Sequence, residues 1–284
     1  MKAPKFAYAK PATLPAALAL LDQHGEEAKV LAGGQSLVAT LNMRLSSPAI
    51  LIDITGIAAL TGISTVNGKV RIGALTRHCD IERSAEIAKT VPLLTQAVGQ
   101  IAHAAIRNAG TIGGSIAFAD PAAEWPACML AVDAEFIIAG KTGERRVKAR
   151  DFFKGLYTTS LQPKEILVAI EIPVLGAGYR SAFLELARRH GDYAIAGVAA
   201  IAKLDAGKFR DVRLAYLGAG ATPILAKGAM AAIEGKAFSP EVVAAAQQAL
   251  GKELDPIGDL YSAPPTKIHL ARVLTGRALA ALAA

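Results

Sequence analysis

Cysteine, charged residues and aromatic residues are all scarce in this 284-residue chain. Its two cysteines, Cys79 and Cys128, lie in no CxxC motif. This argues against a disulfide framework and a cysteine-based zinc site, and it favours a reducing compartment. Charged residues make up 19% of the chain and include no long run of one sign, which argues against a disordered tail or a polybasic arm.

Long apolar runs are also missing. The first 15 residues carry prolines and lysines where a secretory signal needs an apolar segment. The apolar stretches are too short or too interrupted to span a bilayer. We therefore expect a cytoplasmic protein. The net charge of +7 suits an anionic ligand or an acidic partner, but scattered basic residues and 5% aromatics give little support to nucleic-acid binding.

Hydrophobic residues, in contrast, make up 52% of the chain and can form a substantial core without disulfides or metals. Periodicity and turn residues predict helices at about 13–25, 80–89, 92–105, 224–234, 240–250 and 266–282, and strands at 30–32, 49–53, 69–74, 134–138, 166–172, 194–203 and 212–217. The pattern changes near Ile57 and again after Pro173. We predict an α+β protein of three parts, residues 1–56, 57–176 and 177–284.

Two glycine pairs indicate a ligand site. They lie in the segments Ala32-Gly33-Gly34-Gln35-Ser36 and Thr111-Ile112-Gly113-Gly114-Ser115. Paired glycines permit positive φ and close approach to the main chain, and successive amide groups in such turns can bind a pyrophosphate. The hydroxyl groups of the flanking serines and threonine add donors. One such turn is an ordinary structural feature, and the residues alone leave open whether these two share a ligand.

Two acidic residues follow the second glycine pair. Asp120 precedes Pro121, a typical helix start with aspartate as N-cap. Glu124 would then lie one turn into the helix, where the helix dipole favours a negative charge. Its carboxylate can equally accept hydrogen bonds from a ribose. A glycosidase-type acid pair is disfavoured because residues on one turn of a helix do not lie on both sides of a substrate.

Other motifs give little indication of catalysis. The segment 217–223 lacks the third glycine of a dinucleotide fingerprint, and the serines after the glycine pairs lack the setting of a hydrolase nucleophile. Arg107 and Asn108 are expected to brace the second glycine segment, with direct phosphate pairing by Arg107 as the alternative. The histidines have no metal-ligand spacing, so we expect surface or capping positions for His24, His78, His103, His190 and His269.

These motifs resemble the FAD-binding medium subunits of molybdenum hydroxylases, such as those of carbon monoxide dehydrogenase, quinoline oxidoreductase and nicotine dehydrogenase. The FAD domain of xanthine dehydrogenase is a more distant relative. The resemblance covers nearly the whole chain and is carried by AGGQSL, IRNAGTIGGSIAFADPAAEWPA, EILVAIEIP and RRHGDYAIAGVAA. It implies a vanillyl-alcohol-oxidase-type (PCMH-type) FAD-binding fold, with two α/β subdomains and a C-terminal domain that has a small antiparallel sheet and helices.

The resemblance also implies which residues bind the cofactor. Glu124 matches an acidic contact, Leu167 an apolar contact and Tyr193 an aromatic position beside the isoalloxazine. The implied set is Ala32, Gly33, Gly34, Gln35, Ser36, Leu37, Thr111, Ile112, Gly113, Gly114, Ser115, Asp120, Glu124, Leu167 and Tyr193, with no catalytic residue and no metal ligand. Two positions depart from the relatives: Leu184 replaces a lysine of xanthine dehydrogenase, and the segment 262–267 replaces an arginine-bearing helical stretch.

By the same resemblance, FAD binds this chain while a molybdopterin cofactor and two [2Fe-2S] clusters lie on a large and a small partner subunit, in an (αβγ)2 assembly. Two such clusters need eight cysteine ligands, and this chain has two cysteines. The implied role is electron transfer from the clusters through FAD to an external acceptor. The alternatives are an autonomous flavin-dependent oxidase or dehydrogenase, and a non-catalytic module that binds a phosphate ligand.

Overall fold

The computed structural model of the protein describes residues 2–284. The strands are β1 (Ala7–Ala9), β2 (Ala28–Leu31), β3 (Ile50–Asp53), β4 (Ile63–Val66), β5 (Lys69–Gly73), β6 (Glu135–Gly140), β7 (Gly143–Lys148), β8 (Phe153–Gly155), β9 (Thr158–Thr159), β10 (Ile166–Pro173), β11 (Tyr179–Ala187), β12 (Ala194–Asp205), β13 (Lys208–Leu217) and β14 (Ile224–Leu225). The α-helices are α1 (Leu14–His24), α2 (Leu37–Asn42), α3 (His78–Glu82), α4 (Ala85–Thr90), α5 (Pro92–Val98), α6 (Ala104–Arg107), α7 (Ile112–Phe118), α8 (Glu124–Ala131), α9 (Ala149–Phe152), α10 (Lys227–Ile233), α11 (Pro240–Glu253) and α12 (Pro264–Ala283).

The N-terminal part is a small parallel sheet in the order β1-β3-β2, with α1 packed against β3. The predicted helix at 13–25 is confirmed. The hydroxyl of Thr13 accepts a hydrogen bond from the amide of Ala16, and Pro15 lies in the first turn, where its missing N–H costs nothing. Apolar residues of α1 and β3 turn towards the second sheet and form a core with it.

The second sheet has the order β4-β5-β10-β6-β7 and is antiparallel throughout. It therefore differs from the α/β arrangement expected for this part of the chain. One face packs on the N-terminal part, and the other is covered by α5, α7 and α8 in the largest core of the molecule. Because both faces of β10 are covered, that strand is almost continuously apolar from Ile166 to Ile172.

The C-terminal part is an antiparallel sheet in the order β11-β12-β13-β14, with α10, α11 and α12 on its outer face. The predicted C-terminal domain with an antiparallel sheet and helices is confirmed. Its inner face packs on the helices of the second part, so α8 contacts β12 and β13 directly. The divergent segment at 262–267 leads into α12, and Lys267 there pairs with Asp259 at 2.8 Å.

Three predicted helices have different bounds in the structure. The helix expected at 80–89 is two short helices, α3 and α4, because Ser84 starts a new helix by accepting a hydrogen bond from the amide of Ile87. The helix expected at 92–105 ends at Val98, and α6 begins separately at Ala104. The helix expected at 224–234 begins at Lys227, because the two residues of β14 pair with β13. Across residues 2–284, no helix is both long and apolar enough to cross a membrane.

Candidate functional site

The two glycine segments, 32–36 and 111–115, are separated by 74 residues in the sequence but lie against each other in space. A Cβ added to Gly33 would collide with the carbonyl oxygen of Ala109 and would lie 2.8 Å from the Cα of Gly110. A Cβ added to Gly114 would lie 3.7 Å from the Cβ of Ala32. The backbone of the first segment therefore approaches the residues just before the second segment more closely than any side chain at position 33 would allow.

The first segment forms a turn between β2 and α2 with unused backbone donors. Gly34 has a φ of +72°, in the left-handed region that favours glycine. The side-chain amide of Gln35 donates to the carbonyl of Gly33 at 2.9 Å and closes the turn. Within the described chain, the backbone amides of Gly33, Gly34, Gln35 and Ser36 donate to no acceptor. Consecutive backbone N–H groups without an acceptor in the protein can donate hydrogen bonds to phosphate oxygens.

The second segment differs from the predicted loop, because it is the first turn of α7. Thr111 is the N-cap, and its hydroxyl oxygen accepts from the amide of Gly114 at 3.1 Å. The amide of Ile112 donates to Thr76 and that of Gly113 to Ala74, at 3.0 and 2.9 Å. Neither glycine of this pair has a positive φ. The second segment is therefore the start of a helix and not a loop, and its part in binding a cofactor stays a prediction.

Gly113 is required for packing. A Cβ there would lie 2.5 Å from the Cβ of Ala74 and 2.6 Å from its carbonyl oxygen. Glycine lets α7 lie directly on the end of β5, so the second segment becomes a closely packed platform beside the first. The hydroxyl group of Ser115, half-buried on the same turn, remains available to a ligand.

Arg107 lies just before this platform and contacts residues that precede it in the sequence, so the predicted bracing of the second glycine segment stays a prediction. Its guanidinium pairs with Glu82 at 3.0 Å and donates to the carbonyls of Ile101 and Ala102. Phosphate pairing by Arg107 is not supported, because these partners already engage the guanidinium group.

His78 contradicts the expectation of a surface or capping histidine. It is buried, its Nδ1 accepts a hydrogen bond from the indole N–H of Trp125 at 3.0 Å, and its amide donates to the carbonyl of Gly110. Burial, with a smaller contribution from the charge of Arg107, lowers the pKa of His78 to about 4. A neutral His78 therefore links α8 to the residue just before the second glycine segment. No sequence pattern predicted this contact, because Trp125 is 47 residues away from His78 along the chain.

The start of α8 also differs from the prediction. The helix begins at Glu124 with Ala123 as N-cap, so Asp120 is not the cap and Glu124 lies at the first position rather than one turn in. Asp120 instead accepts a hydrogen bond from the amide of Ala122 at 2.9 Å and closes a turn. Burial raises the pKa of Asp120, while hydrogen bonds from Ala122 and the hydroxyl of Tyr157 oppose the increase.

Two glutamates have raised pKa values: Glu124, the first residue of α8, is buried, and Glu185 is partly buried. Burial raises the pKa of Glu124 to about 8, and the charge of Glu185 adds to the increase. Burial raises the pKa of Glu185, on β11, to about 7. Burial and both carboxylates raise the pKa of the buried thiol of Cys128, one turn along α8. No motif marked Glu185 in the sequence.

Tyr193 lies at the open side of this acidic region. The residue is 62% exposed, yet its pKa is raised, first by burial of the hydroxyl end and then by the charge of Asp120, with smaller effects from Tyr157 and Glu124. The ring of Tyr157 packs edge-on against Phe118 at 5.2 Å. Tyr157 and Tyr193 thus provide an aromatic rim, of which the sequence indicated only Tyr193.

The two glycine segments meet at the start of α7, and the seven residues of that helix lead from them towards Asp120 and Glu124, a length of about 10 Å at 1.5 Å per residue. Leu167 is on β10, against which α7 packs, and only 5% of it is exposed. Leu37 is the first residue of α2.

This arrangement fits a flavin dinucleotide. Free amides suit its pyrophosphate, carboxyl groups suit hydroxyl groups of its sugar-like chain, and an aromatic rim suits its flat ring. Glycine at position 34 also avoids crowding of the turn, because a Cβ there would lie 3.3 Å from the side chains of both Leu31 and Val38.

Comparisons with known proteins agree with this assignment. The family described as the FAD binding domain in molybdopterin dehydrogenase matches residues 4–175, and the CO dehydrogenase flavoprotein C-terminal domain matches residues 181–282. The chain is 40% identical to the 6-hydroxypseudooxynicotine dehydrogenase complex subunit alpha of Paenarthrobacter nicotinovorans, over 99% of this chain and 95% of that one.

Two solved structures are similar over the full length. A chain of carbon monoxide dehydrogenase from Hydrogenophaga pseudoflava has a TM-score of 0.97 and 39% identity, with 99% of this chain and 98% of that chain covered. A chain of quinoline 2-oxidoreductase from Pseudomonas putida 86 has a TM-score of 0.94 and 35% identity, with 100% and 98% covered.

Proposed function

The chain belongs to the family of FAD-binding medium subunits of molybdenum hydroxylases, and on that premise we propose that it is the electron-transfer subunit of such an oxidoreductase. In this role it places FAD between the [2Fe-2S] clusters of a small partner subunit and an external electron acceptor. The molybdopterin cofactor lies on a large partner subunit, in an (αβγ)2 assembly. The observation that carries the proposal is the set of four free amides from Gly33 to Ser36 beside the platform of the second glycine segment.

We propose the following cofactor contacts. The amides of the first segment hold the pyrophosphate, and the platform of the second segment limits how far the dinucleotide can move. Asp120 and Glu124 hydrogen-bond its hydroxyl groups, and Tyr193 covers one side of the ring. The proposed set is Ala32, Gly33, Gly34, Gln35, Ser36, Leu37, Thr111, Ile112, Gly113, Gly114, Ser115, Asp120, Glu124, Leu167 and Tyr193.

Bound FAD supplies two-electron redox chemistry that protein side chains lack. The residues of this chain bind it, orient it and set its surroundings. The four amides neutralise part of the pyrophosphate charge without a basic side chain, since Arg107 is already paired with Glu82. The two cysteines are both free and buried, so the ligands of any iron–sulfur cluster come from another chain.

We propose the division into 1–56, 57–176 and 177–284 and the vanillyl-alcohol-oxidase-type (PCMH-type) description of the fold. The division is supported by the three main sheets, which use residues from 7–53, 63–173 and 179–225. A cytoplasmic location is also a proposal, supported by the two unpaired cysteines.

The test compares the isolated chain with the complex purified through a tag on this chain. We expect the isolated chain to bind one FAD non-covalently, so that denaturation releases the flavin into the supernatant. We expect the complex to contain a molybdopterin-binding chain and an iron–sulfur chain, and its flavin to be reduced anaerobically by a substrate of the molybdenum subunit. Substrate-dependent reduction of the flavin in the isolated chain would contradict the proposal and support an autonomous oxidase or dehydrogenase. A colourless chain that takes up no FAD would support a different phosphate ligand.

A further inference from the structure

Arg107, the last residue of α6, contacts the loop that precedes its own helix. Its Nη1 atom donates to the carbonyl oxygens of Ile101 and Ala102, at 3.0 and 3.2 Å, while its Nε atom donates to Glu82 at 3.0 Å. The side chain is only 14% exposed, and hydrogen bonds from an ionised donor are stronger than neutral ones. Two successive carbonyl groups therefore point at one nitrogen of a largely buried cation.

Ala102 has a backbone conformation that few residues other than glycine adopt. Its φ of +45° lies in the left-handed region. Such a conformation persists only where the surroundings fix the backbone. Here the hydrogen bond from Arg107 fixes the carbonyl group, and the side chain of Ala102 packs against the largest core. The carbonyl group of Ala102 is therefore held in one orientation.

Gly191 lies directly on that carbonyl group. A Cβ added to Gly191 would lie 2.5 Å from the carbonyl oxygen of Ala102 and 2.8 Å from its carbonyl carbon, so only glycine permits this contact. Gly191 belongs to the loop 188–193 between β11 and β12, in which the amide of Asp192 donates to the carbonyl of Arg189 at 3.0 Å. This loop of the C-terminal part therefore packs on a fixed backbone group of the second part.

Tyr193 comes two residues after this contact and is the last residue before β12. Burial of its hydroxyl end and the charge of Asp120 raise the pKa of Tyr193, so the phenol group lies near Asp120 in the proposed cofactor site. No helix or strand separates Gly191 from Tyr193. A shift of Gly191 away from Ala102 would therefore change where the aromatic ring lies.

We propose that Arg107 and Gly191 are positioning residues that hold Tyr193 at the isoalloxazine of FAD. Arg107 fixes the carbonyl group of Ala102, and Gly191 packs on that group. The inference rests on the proposed function, because it requires Tyr193 to cover the ring of the cofactor. It gives Arg107 a task other than pyrophosphate binding, and it adds Gly191 to the residues that the glycine segments and the resemblance indicate.

The first experiment compares Gly191→Ala with Gly178→Ala in the full-length chain reconstituted with FAD. Both glycines have a φ of +83°, so the backbone strain of an alanine is matched, but the nearest atom to a Cβ at Gly178 lies 3.5 Å away. We expect Gly191→Ala to shift the visible flavin band as Tyr193→Ala does, and to weaken FAD binding about threefold, less than the roughly fivefold effect of removing the ring. Gly178→Ala should keep the wild-type spectrum and affinity.

The second experiment compares Arg107→Lys with Arg213→Lys. A single ammonium group cannot pair with Glu82 and also donate to both carbonyl groups in the geometry of the guanidinium. Arg213 also pairs with an acid, Asp211 at 2.7 Å, and donates to a carbonyl, that of Ala131 at 3.4 Å, with 23% of its side chain exposed. We expect Arg107→Lys to shift the flavin band in the same direction as Gly191→Ala, and Arg213→Lys to leave it unchanged.

Double variants with Tyr193→Ala separate positioning from a general role in the fold. If Arg107 and Gly191 act through the ring, then Arg107→Lys and Gly191→Ala should each change the affinity by less than about twofold once the ring is absent. Urea unfolding shows whether each variant is folded, and Gly191→Ala, in a surface loop, keeps the test available if Arg107→Lys does not fold.

An equal loss of affinity with and without the ring of Tyr193 would show that these residues act on the fold or on the glycine segments, and would overturn the inference. Wild-type flavin spectra in both single variants would also overturn it, while the proposed function would stand. A folded wild-type chain that binds no FAD would overturn the proposed function itself.

Discussion

The two glycine pairs have similar sequences, yet their backbones have opposite roles. In the first segment, Gly34 adopts a left-handed conformation and the amides from Gly33 to Ser36 have no acceptor in the protein. In the second segment, both glycines are helical and the amides donate to Ala74, Thr76 and the cap Thr111. A pair of glycines therefore becomes an anion site only where the fold leaves its amides without partners.

The same comparison explains why each segment needs glycine. Glycine in the first segment permits the left-handed turn and the close approach to Ala109 and Gly110. Glycine in the second segment removes a Cβ that would overlap Ala74. The left-handed turn at Gly34 concerns the ligand, whereas the missing Cβ at Gly33 and Gly113 concerns the packing of the fold. Substitutions at Gly34 and Gly113 should therefore separate the two needs.

The largest effect is expected for Gly113→Ala. The added Cβ would lie 2.5 Å from Ala74, so α7 or β5 must move, and we expect the free energy of unfolding to fall by about 3 kcal/mol. Urea unfolding of the apo chain measures this. Gly176→Ala is the control, because no other atom lies within 4 Å of its added Cβ. Equal free energies of unfolding for the two variants would show that α7 is not tightly packed on Ala74 at Gly113.

The next effect concerns the neutral histidine under the platform. Unfolded His78 binds a proton near its ordinary pKa of 6.5, but folded His78 does so only near 4, so acid favours the unfolded chain. The stability that depends on neutral His78 is complete above about pH 6.5 and is lost as the pH falls towards 4. We expect His78 alone to make the protein about 2 kcal/mol less stable at pH 5 than at pH 8. His78→Gln, which still offers Trp125 an acceptor, should lack this component; an unchanged pH profile in that variant would contradict the assignment.

A smaller effect, confined to the ligand, is expected for Gly34→Ala. A left-handed alanine costs about 1–2 kcal/mol, and relief of that strain would turn the amides away from the pyrophosphate. We expect the affinity for FAD to fall about tenfold, or 1.4 kcal/mol. Gly68→Ala is matched in backbone strain, because Gly68 has the same φ of +72° in the turn between β4 and β5. It should lose similar stability but no FAD affinity; a similar loss of affinity in both variants would remove the special role of Gly34.

The smallest effect is expected at the ring end of the site. If Tyr193 packs on the isoalloxazine, Tyr193→Ala should weaken FAD binding by about 1 kcal/mol, or roughly fivefold. It should also shift the visible absorption band of the flavin. Tyr193→Phe keeps the ring and should keep both properties. If Tyr193→Phe weakens binding as much as Tyr193→Ala, the hydroxyl group and not the ring makes the contact.

Sequence patterns predicted the long elements well and the contacts between them poorly. The apolar run of β10 and the alanine-rich α11 and α12 were correctly predicted, because burial on one or both faces leaves a clear periodicity. The strand β11 was missed because the charged side chains of Arg180 and Glu185 interrupt its apolar pattern.

For the site, residue patterns indicated both glycine segments and Glu124, and the family resemblance added Tyr193, but neither could indicate how the backbone amides are used. Acceptors for the second segment come from Ala74 and Thr76, which meet α7 only in the folded chain. His78 was missed for the same reason: its partners Trp125 and Gly110 come from other parts of the chain, and an isolated histidine has no pattern of its own.

The most direct test of the difference between the two segments is amide hydrogen exchange in the full-length chain with and without FAD. We predict that the amides from Gly33 to Ser36 exchange rapidly in the apo chain and become strongly protected when FAD binds. The amides from Ile112 to Ser115 should be protected in both states and change little. Protection gained mainly at 112–115, with rapid exchange persisting at 33–36 in the FAD complex, would contradict the claim that the first segment holds the pyrophosphate.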